Sequence, residues 1–381
     1  MEPFPSEEHA LIRRTVREFA EREVKPGARA RDEEHRFPRD LLPKMAELGL
    51  LGMPFPTDYG GAGTDYVSYL IAEEEISRAD ASLGVIMSVN NSLTGWPLFT
   101  YGNEEQRKKW LPAMLSGKRL GAFGLSEPGA GSDPAAMKTR AEKRGDGYVL
   151  NGQKVFITNG GEAEIYLVFA VTDPAAKHRG VSAFVVEKGT KGFTIGKPEE
   201  KMGIRASTTV QLFFENVHLP KENLLGTEGQ GFKIAMSTLD GGRLGIAAQA
   251  VGIASAALED ALAYAKERDA FGVKIGSFQA LQWMLADSAM EIEAARLMMY
   301  RAARLKEQGK PYAPEAAAAK LFASEMANRV VNKAVQVFGG SGYIREYPVE
   351  RYMRDQKITE IYEGTSEIMR LIVSGAELGI R

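Results

Sequence analysis

The sequence predicts an α+β multidomain protein with an N-terminal helical domain, a middle β-barrel or β-sandwich domain and a C-terminal four-helix bundle. Apolar residues recur at helical spacing at both ends of the chain, whereas short β-branched and aromatic runs fill the stretch between them. The length of 381 residues suits two to three domains of roughly 150 residues each. We place these domains at residues 1–118, 119–231 and 232–381.

The first domain reads as a series of helices. Ser6 before two glutamates is a helix start, and the apolar stripe that follows ends at Pro26. A glycine-rich loop at 60–63 separates two later helices. The helices predicted after the first are Leu41–Leu48, Tyr66–Ser77 and one that opens at Asn103 and ends near Gly117.

The middle domain reads as short strands separated by turns, which is typical of a compact barrel or sandwich. The predicted strands are Tyr148–Leu150, Lys154–Thr158, Ile165–Val171, Val181–Val186, Phe193–Ile195 and Thr209–Phe214. The predicted turns are Asp146-Gly147, Asn151-Gly152, Asn159–Gly161 and Asp173-Pro174. From Phe232 onward, long helices with short glycine-bearing links predict a helical bundle.

Composition excludes several kinds of chemistry. The chain has no cysteine, which removes disulfides, thiolate nucleophiles and iron–sulfur ligation. Its four histidines have no partner at metal-ligand spacing, so we predict no metal site. A net charge of −2 argues against nucleic-acid binding through a global positive field. The acidic segment Met1–Glu8 is unlike a targeting peptide and no apolar run is long enough for a membrane span, so we expect a cytoplasmic protein.

Phosphate-binding and nucleophile motifs of the common enzyme classes are missing, since the chain contains no GxGxxG, GxxxxGK[ST] or GxSxG. Two other segments could bind a ligand. The glycine-rich segment Gly124–Asp133 could hold an anion on backbone N–H groups, although an ordinary turn explains it as well. In Lys154–Gly160, Phe156 and Thr158 share one strand face and suit a flat aromatic ligand, with a half-buried strand as the alternative.

Three further motifs lie in the helical last third. Gln336–Tyr343 is a glycine-rich helix end, for which a simple C-cap is the alternative. Glu363 precedes a glycine and a helix start, where burial would raise its pKa toward that of a general base; a charge placed near a helix N-terminus is the alternative. Asp240–Arg243 puts two glycines inside a helix, for a ligand or for close helix packing.

Together these motifs, with Arg268–Gly272, resemble the acyl-CoA dehydrogenase family of flavoenzymes from about Glu7 to Gly379, closest to its short-chain (butyryl-CoA) members. The resemblance implies FAD, an acyl-CoA substrate, an electron-transfer flavoprotein as acceptor, and a homotetramer built as a dimer of dimers. It also implies that FAD is held partly across a dimer interface.

The resemblance implies roles for individual residues. The FAD-binding residues would be Phe123, Leu125, Ser126, Gly131, Ser132, Phe156, Thr158, Arg268, Phe271, Gln279, Gln336, Gly340, Thr365 and Glu367. The substrate-binding residues would be Ser132, Asp240, Arg243 and Gly364. Glu363 would be the catalytic base that removes the α-proton while the β-hydrogen leaves as hydride to flavin N5.

Two positions narrow the choice of catalytic base and of substrate. Some relatives carry the base on the long helix just before the arginine, but that position is Gly242 here, so Glu363 is the candidate. Glutaryl-type members carry an arginine that aligns near Gly84, so a dicarboxylyl substrate is disfavoured. The resemblance implies dehydrogenation of short acyl-CoA to trans-2-enoyl-CoA. A short branched-chain dehydrogenase, an oxidase and a non-catalytic flavin- or acyl-CoA-binding scaffold stay open as alternatives.

Overall fold

The computed structural model describes residues 6–380, so the first five residues of the Met1–Glu8 segment lie outside it. The chain begins with seven helices, continues with eight strands and ends with five further helices and a small hairpin. The first seven helices are α1 Glu7–Phe19, α2 Lys25–Glu34, α3 Leu42–Glu47, α4 Tyr66–Ala79, α5 Ala81–Ser88, α6 Trp96–Tyr101 and α7 Glu104–Leu115. The N-terminal helical prediction is therefore confirmed.

The helix end predicted at Pro26 is wrong. A π-helical turn, Ala20–Val24, joins α1 to α2, and the helical path runs on to Glu34. Pro26 lies in the first turn of α2, directly after the π-helical turn, so the change in helical hydrogen bonding falls where the proline lacks its N–H. A second π-helical stretch, Val89–Gly95, continues α5 and was not foreseen from the sequence.

The middle domain is one eight-stranded sheet made of two sections. The strands are β1 Gly121–Gly124, β2 Arg140–Arg144, β3 Gly147–Thr158, β4 Ile165–Val171, β5 Val181–Glu187, β6 Phe193–Ile195, β7 Thr209–Leu219 and β8 Leu224–Leu225. The strand order is β6-β7-β3-β2-β4-β5-β8, with β1 parallel to β4. One section is β6-β7-β3-β2, and the other is β4-β5-β8 together with β1. They meet where β2 pairs with β4 through a single residue pair, Arg140 and Val171.

The turn predicted at Asn151-Gly152 is wrong, because β3 runs through it as one long strand. Its pairing with β7 shifts register between Leu150 and Gly152, which marks a bulge. Gly152 has φ +143°, and a Cβ there would lie 2.7 Å from the Thr139 Cα. Glycine at this position therefore bends the strand instead of ending it. Strands β1 and β2 were also missed, since β2 is polar and mostly exposed.

The last third is helical, as predicted. Helix α8 is Gly231–Glu267; a hairpin of β9 Asp269–Ala270 and β10 Val273–Lys274 follows. The remaining helices are α9 Gln279–Glu307, α10 Ala313–Phe338, α11 Val349–Gln356 and α12 Ser366–Leu378. Within residues 6–380, α8 is the one helix long and apolar enough to cross a membrane, but 72% of its most apolar window is buried inside the protein. Such burial is what the core helix of a bundle shows.

The helices of the two ends share one core. All fourteen residues of α4 are buried, because α4 packs between α8 and the other N-terminal helices. Asn159 ties the sheet to this core, donating to the carbonyl oxygens of Ile86 (3.2 Å) and Gly121 (3.3 Å). The site described next lies where α4, α5, α8 and α10 meet.

Candidate active site

A tight elbow between α11 and α12 carries Glu363. Glu363 has φ +53° and Gly364 has φ +102°, so two successive residues occupy left-handed backbone space. For a residue with a Cβ this conformation costs about 1–2 kcal/mol. Thr365 then caps α12, its side chain accepting from the N–H of Ile368 at 3.3 Å. The strained backbone turns the Glu363 side chain inward, toward α8.

Lys320, for which the sequence predicted no role, holds this elbow in place. Its side chain is fully buried on α10, and its Nζ donates to the Gly364 carbonyl oxygen at 2.6 Å. Burial lowers the pKa of Lys320 to about 8, against the opposing charge of Glu363. A lone lysine among alanines in α10 was the only signal available in the sequence.

The Glu363 carboxyl is poised to take up a proton. Its Oε2 is out of contact with solvent and has no hydrogen-bond partner within residues 6–380. Burial raises the pKa of Glu363 to about 7, although Lys320 and Arg243 act in the opposite direction. A carboxyl with this pKa is half ionised near neutral pH and is matched to general-base work there.

Two glycines of α8 make room for this site. A Cβ on Gly242 would overlap the Glu363 Oε2 and lie 2.7 Å from Leu93 Cδ2. A Cβ on Gly241 would lie 2.8 Å from the Nζ of Lys306. Of the two explanations that the sequence left open for the paired glycines, the structure supports close packing, in this case of α8 against side chains of the site.

Beside the elbow lies a polar cluster on α8. The Arg243 guanidinium donates to Asp240 Oδ1 at 2.6 Å and contacts the Glu363 carbonyl oxygen at 3.4 Å. Burial lowers the pKa of Arg243 and raises that of Asp240. Lys306 donates to the Tyr312 hydroxyl at 3.2 Å, and its pKa is lowered to about 8 by burial. Arg243 thus contacts the predicted base directly, while the CoA contact of Asp240 stays a prediction.

The glycine-rich segment after β1 is anchored by a buried ion pair that the sequence did not reveal. Lys154 Nζ lies 2.8 Å from Glu127 Oε1 and donates to the Leu125 carbonyl oxygen at 3.0 Å. Glu127 also accepts from the backbone N–H groups of Lys138 (2.6 Å) and Thr139 (3.0 Å). Burial lowers the pKa of Lys154 to about 8, and the ion pair with Lys154 keeps the pKa of Glu127 low. The pair fixes the loop on which several predicted flavin contacts lie.

Those predicted contacts differ in exposure. Leu125 is buried, Phe123 and Ser126 are half-buried, and Gly131 and Ser132 are exposed on the loop. On β3, Phe156 has φ +58° and is 72% exposed, while Thr158 is half-buried. The Phe156 ring, held by left-handed backbone angles, is therefore a flat apolar surface that is largely exposed to solvent.

A second set of predicted flavin residues lies at the other end of α8. Phe271 forms the tip of the β9–β10 hairpin with φ +54°, and 96% of its surface is exposed. Arg268 and Gln279 flank it, also exposed. The end of α10 reaches the same region, because Tyr264 of α8 stacks on Phe338 with 4.1 Å between ring centroids. Gln336 and Gly340, next to Phe338, are exposed as well.

The remaining predicted contacts lie at the start of α12. Thr365 serves as the N-cap, and the exposed Glu367 has its pKa lowered, first by a hydrogen bond from Thr365. The structure therefore brings together Glu363, Gly364, Arg243 and Lys320, while the hairpin residues point away from the body of this chain. The flavin and substrate roles of the individual residues stay predictions.

Family models match the chain in each of its three domains. The acyl-CoA dehydrogenase N-terminal domain matches residues 6–118, the middle domain residues 122–217 and the C-terminal domain residues 229–378. The short-chain specific acyl-CoA dehydrogenase of Clostridium acetobutylicum is 54% identical over 97% of both chains. The human mitochondrial short-chain specific enzyme is 52% identical over 97% of this chain and 90% of its own.

Solved structures are similar over nearly the whole chain. Butyryl-CoA dehydrogenase from Megasphaera elsdenii has a TM-score of 0.97 at 47% identity, covering 99% of this chain and 100% of the other. A chain in a structure described as the electron transferring flavoprotein of Acidaminococcus fermentans has a TM-score of 0.98 at 52% identity, with coverage of 99% and 100%. A glutaryl-CoA dehydrogenase from Mycobacterium smegmatis, in complex with FADH2, has a TM-score of 0.93 at 34% identity, with coverage of 98% and 95%.

Proposed function

The chain belongs to the acyl-CoA dehydrogenase family of flavin-dependent oxidoreductases, and we propose that it dehydrogenates short, unbranched acyl-CoA to trans-2-enoyl-CoA. The observation that carries this proposal is the buried, unpartnered Glu363 carboxyl with a pKa near 7. The short-chain relatives named above support the substrate class.

The chain's own residues perform the proton half of the reaction. Glu363 removes the proton next to the thioester carbonyl, and its ionised form is available near neutral pH because its pKa lies there. Lys320 and Arg243 carry positive charge beside it and keep that pKa from rising further. Gly242 leaves the room in which the carboxyl sits, as its Cβ would overlap Oε2. A bound flavin supplies the two-electron acceptor that the side chains cannot provide.

FAD is the flavin that we propose, and the residues present fit it. The exposed ring of Phe156 offers a flat apolar surface, and the half-buried Thr158 lies two residues on, where its hydroxyl could meet a ring edge. The loop held by the Lys154–Glu127 pair presents Ser126 and the exposed Gly131 and Ser132 to a phosphate-bearing ligand. The complex of the glutaryl-CoA dehydrogenase with FADH2 supports the same assignment.

A homotetramer, built as a dimer of dimers, is the assembly that we propose. Phe271 at the hairpin tip is almost wholly exposed, and a phenyl group there is explained by burial against a second copy. Helix α9 adds an apolar stripe at seven-residue spacing, Trp283, Met290 and Leu297, each more than half exposed. Such a stripe is typical of helix–helix association. An electron-transfer flavoprotein is the proposed electron acceptor, and a cytoplasmic location stays a prediction.

The test is anaerobic reduction of the purified flavoprotein with a panel of acyl-CoA esters. Butyryl-CoA is expected to bleach the oxidised flavin absorbance fastest, with slower bleaching by isobutyryl-, 2-methylbutyryl- and octanoyl-CoA. Faster bleaching by a branched ester would show that the preferred substrate is branched. A yellow protein that no acyl-CoA bleaches would contradict the enzymatic proposal and favour a binding scaffold.

A further inference from the structure

A second carboxyl group is buried in the same helix junction as Glu363. Glu73, on α4, has an exposed fraction of 0%; its Oε1 accepts from the Ser77 hydroxyl at 3.1 Å. Its Oε2 is buried and has no hydrogen-bond partner in the described part of the chain; an unsatisfied buried group of this kind costs about 1–3 kcal/mol in a folded protein. Among residues 6–380, Glu162 also has a buried carboxyl oxygen without a hydrogen bond, but it pairs with Arg39. Glu73 and Glu363 are therefore the two that stay unpaired.

Contacts along α8 locate Glu73 relative to the base. At the level of Glu363, the Tyr66 hydroxyl of α4 donates to the Gly241 carbonyl oxygen at 2.9 Å. One turn further along α8, a Cβ on Gly245 would lie 3.2 Å from the Tyr69 hydroxyl oxygen. Helices α4 and α8 thus advance side by side in the same direction.

The next turns of α8 also pack against successive turns of α4. A Cβ on Gly252 would lie 3.0 Å from the Ser77 Cβ. Glu73 is one turn after Tyr69 and one turn before Ser77 on α4, so it falls opposite the α8 turn around Gln249. From Gly242 to Gln249 the helix rises about 10 Å. The two unpaired carboxyls therefore lie on one face of α8, about two helical turns apart.

Polar groups line the interval between the two carboxyls. The Tyr69 hydroxyl donates to Ser88 Oγ at 3.4 Å, and Ser88 Oγ lies 3.5 Å from Ser92 Oγ. The Gln249 amide accepts from the Tyr362 hydroxyl and donates to the Ala81 carbonyl oxygen at 2.9 Å. These hydroxyl and amide groups can hydrogen-bond a polar group of a ligand, which a simple alkyl chain does not have.

The surroundings of Glu73 favour the neutral, protonated form of its carboxyl. Burial raises its pKa well above the usual range, and the negative charge of Glu363 acts in the same direction. Gly84 faces it from α5, where a Cβ would overlap the Ser77 hydroxyl and lie 2.8 Å from Glu73 Oε1. Because Ser77 holds Oε1 by a hydrogen bond, the other oxygen, Oε2, is left for a ligand.

We propose that Glu73 binds the distal end of the acyl chain, and that this enzyme prefers a short acyl-CoA that carries a hydroxyl group at that end. A substrate hydroxyl would supply the hydrogen bond that Glu73 Oε2 lacks within the chain. An alkyl chain of the same length would leave Oε2 unpaired in the complex. The inference rests on the proposed acyl-CoA dehydrogenase activity and refines its substrate class.

The experiment compares ω-hydroxyacyl-CoA with plain acyl-CoA of equal length. The substrates are 4-hydroxybutyryl-, 5-hydroxypentanoyl- and 6-hydroxyhexanoyl-CoA against butyryl-, pentanoyl- and hexanoyl-CoA, with kcat/KM measured for the flavin-loaded wild type. At one of these lengths the hydroxylated ester is expected to be favoured by about tenfold, the effect of one buried hydrogen bond. Glu73→Leu, which is similar in size and apolar, is expected to reverse that preference, and Glu73→Gln to retain part of it.

Flavin content and thermal midpoint of each variant establish that it folds, and Ser77→Ala provides a graded comparison because it frees Oε1 without removing the carboxyl. An unchanged hydroxyl-to-alkyl ratio in Glu73→Leu would overturn the inference, as would a wild type that favours the alkyl ester at all three lengths. Turnover of butyryl-CoA in either case would leave the proposed function standing. If no acyl-CoA is turned over, it is the proposed function that fails.

Discussion

The elbow around Glu363 and the hairpin around Phe271 are both strained, yet one is enclosed and the other is bare. Glu363 and Phe271 both have left-handed backbone angles, with φ of +53° and +54°. The elbow is enclosed by α8 and α10 of the same chain, and Lys320 and Arg243 contact its carbonyl groups. The Phe271 ring is 96% exposed. Backbone strain persists where the surrounding structure stabilises it. We therefore expect a second copy of the chain to surround the strained hairpin.

The difference separates the two halves of the proposed chemistry. The proton-transfer half is complete within one chain, because the base and the charges that tune its pKa all belong to it. The proposed flavin half is incomplete within one chain, because the predicted flavin residues Phe271, Arg268 and Gln336 are exposed on its surface. The first three of the four predictions below test this division, from the largest expected effect to the smallest.

Replacing Glu363 with glutamine should abolish turnover while leaving the flavin bound. Removing a general base costs about 10²–10⁴-fold in rate, and glutamine keeps the shape of the side chain. The measurement is the rate of flavin reduction by butyryl-CoA under anaerobic conditions. Glu377→Gln, an exposed glutamate on α12, is the matched control and should retain the wild-type rate. Flavin reduction at the wild-type rate in Glu363→Gln would show that another group is the base.

Replacing Phe271 with alanine should weaken flavin binding by about tenfold, the effect of roughly 1.4 kcal/mol from a lost aromatic contact. The elbow should be untouched, so turnover at saturating FAD should stay close to that of the wild type. Equilibrium dialysis against FAD and sedimentation give affinity and assembly state together. Leu11→Ala, another exposed apolar residue, serves as the control. A monomeric protein with unchanged FAD affinity would contradict the shared site.

Replacing Lys320 with methionine should shift the pH profile. Glu363 must be ionised to act, so the rate of flavin reduction rises with pH through about 7 in the wild type. Lys320 lowers the pKa of Glu363, so its removal should move that rise to higher pH and lower the rate at neutral pH. Lys333→Met, on the same helix but paired with Glu291, is the control. A profile that does not move would assign Lys320 a purely structural role.

The same raised pKa sets the direction of a stability effect. Above its ordinary range near 4.5, the unfolded chain has lost the Glu363 proton, whereas the folded chain keeps it up to about pH 7. The native state then binds more protons than the unfolded state, so this group makes stability fall as pH rises through that window. Glu363→Gln, which cannot ionise, should therefore have the higher thermal midpoint at pH 8 but not at pH 4.

The sequence alone was sufficient where a local signal dominates. The alternation from helices to strands and back, the strand Ile165–Val171 and the Thr365 cap follow from periodicity and short-range hydrogen bonding, and the structure has them. Predictions from short-range sequence patterns were wrong where contacts with other parts of the chain determine the backbone path. Asn151-Gly152 looks like a turn, but Thr139 and β7 pack against it and keep β3 extended. Pro26 looks like a helix end, but the π-helical turn before it accommodates the ring.

What the sequence determined is the set of chemical groups: no thiol, a glycine-bearing α8, and a glutamate before the glycine and cap of α12. What only the tertiary structure decided is how those groups act on one another. The pKa of Glu363 depends on burial by α8 and on charges contributed by Lys320 and Arg243 from other helices. Glu73 had no distinguishing pattern in a run of three glutamates, of which Glu74 pairs with Arg13 and Glu75 with Arg78. Burial and pairing depend on the folded surroundings of a side chain. Among residues 6–380 they leave Glu73 and Glu363, on one face of α8, each with a buried oxygen that has neither a hydrogen bond nor an ion pair.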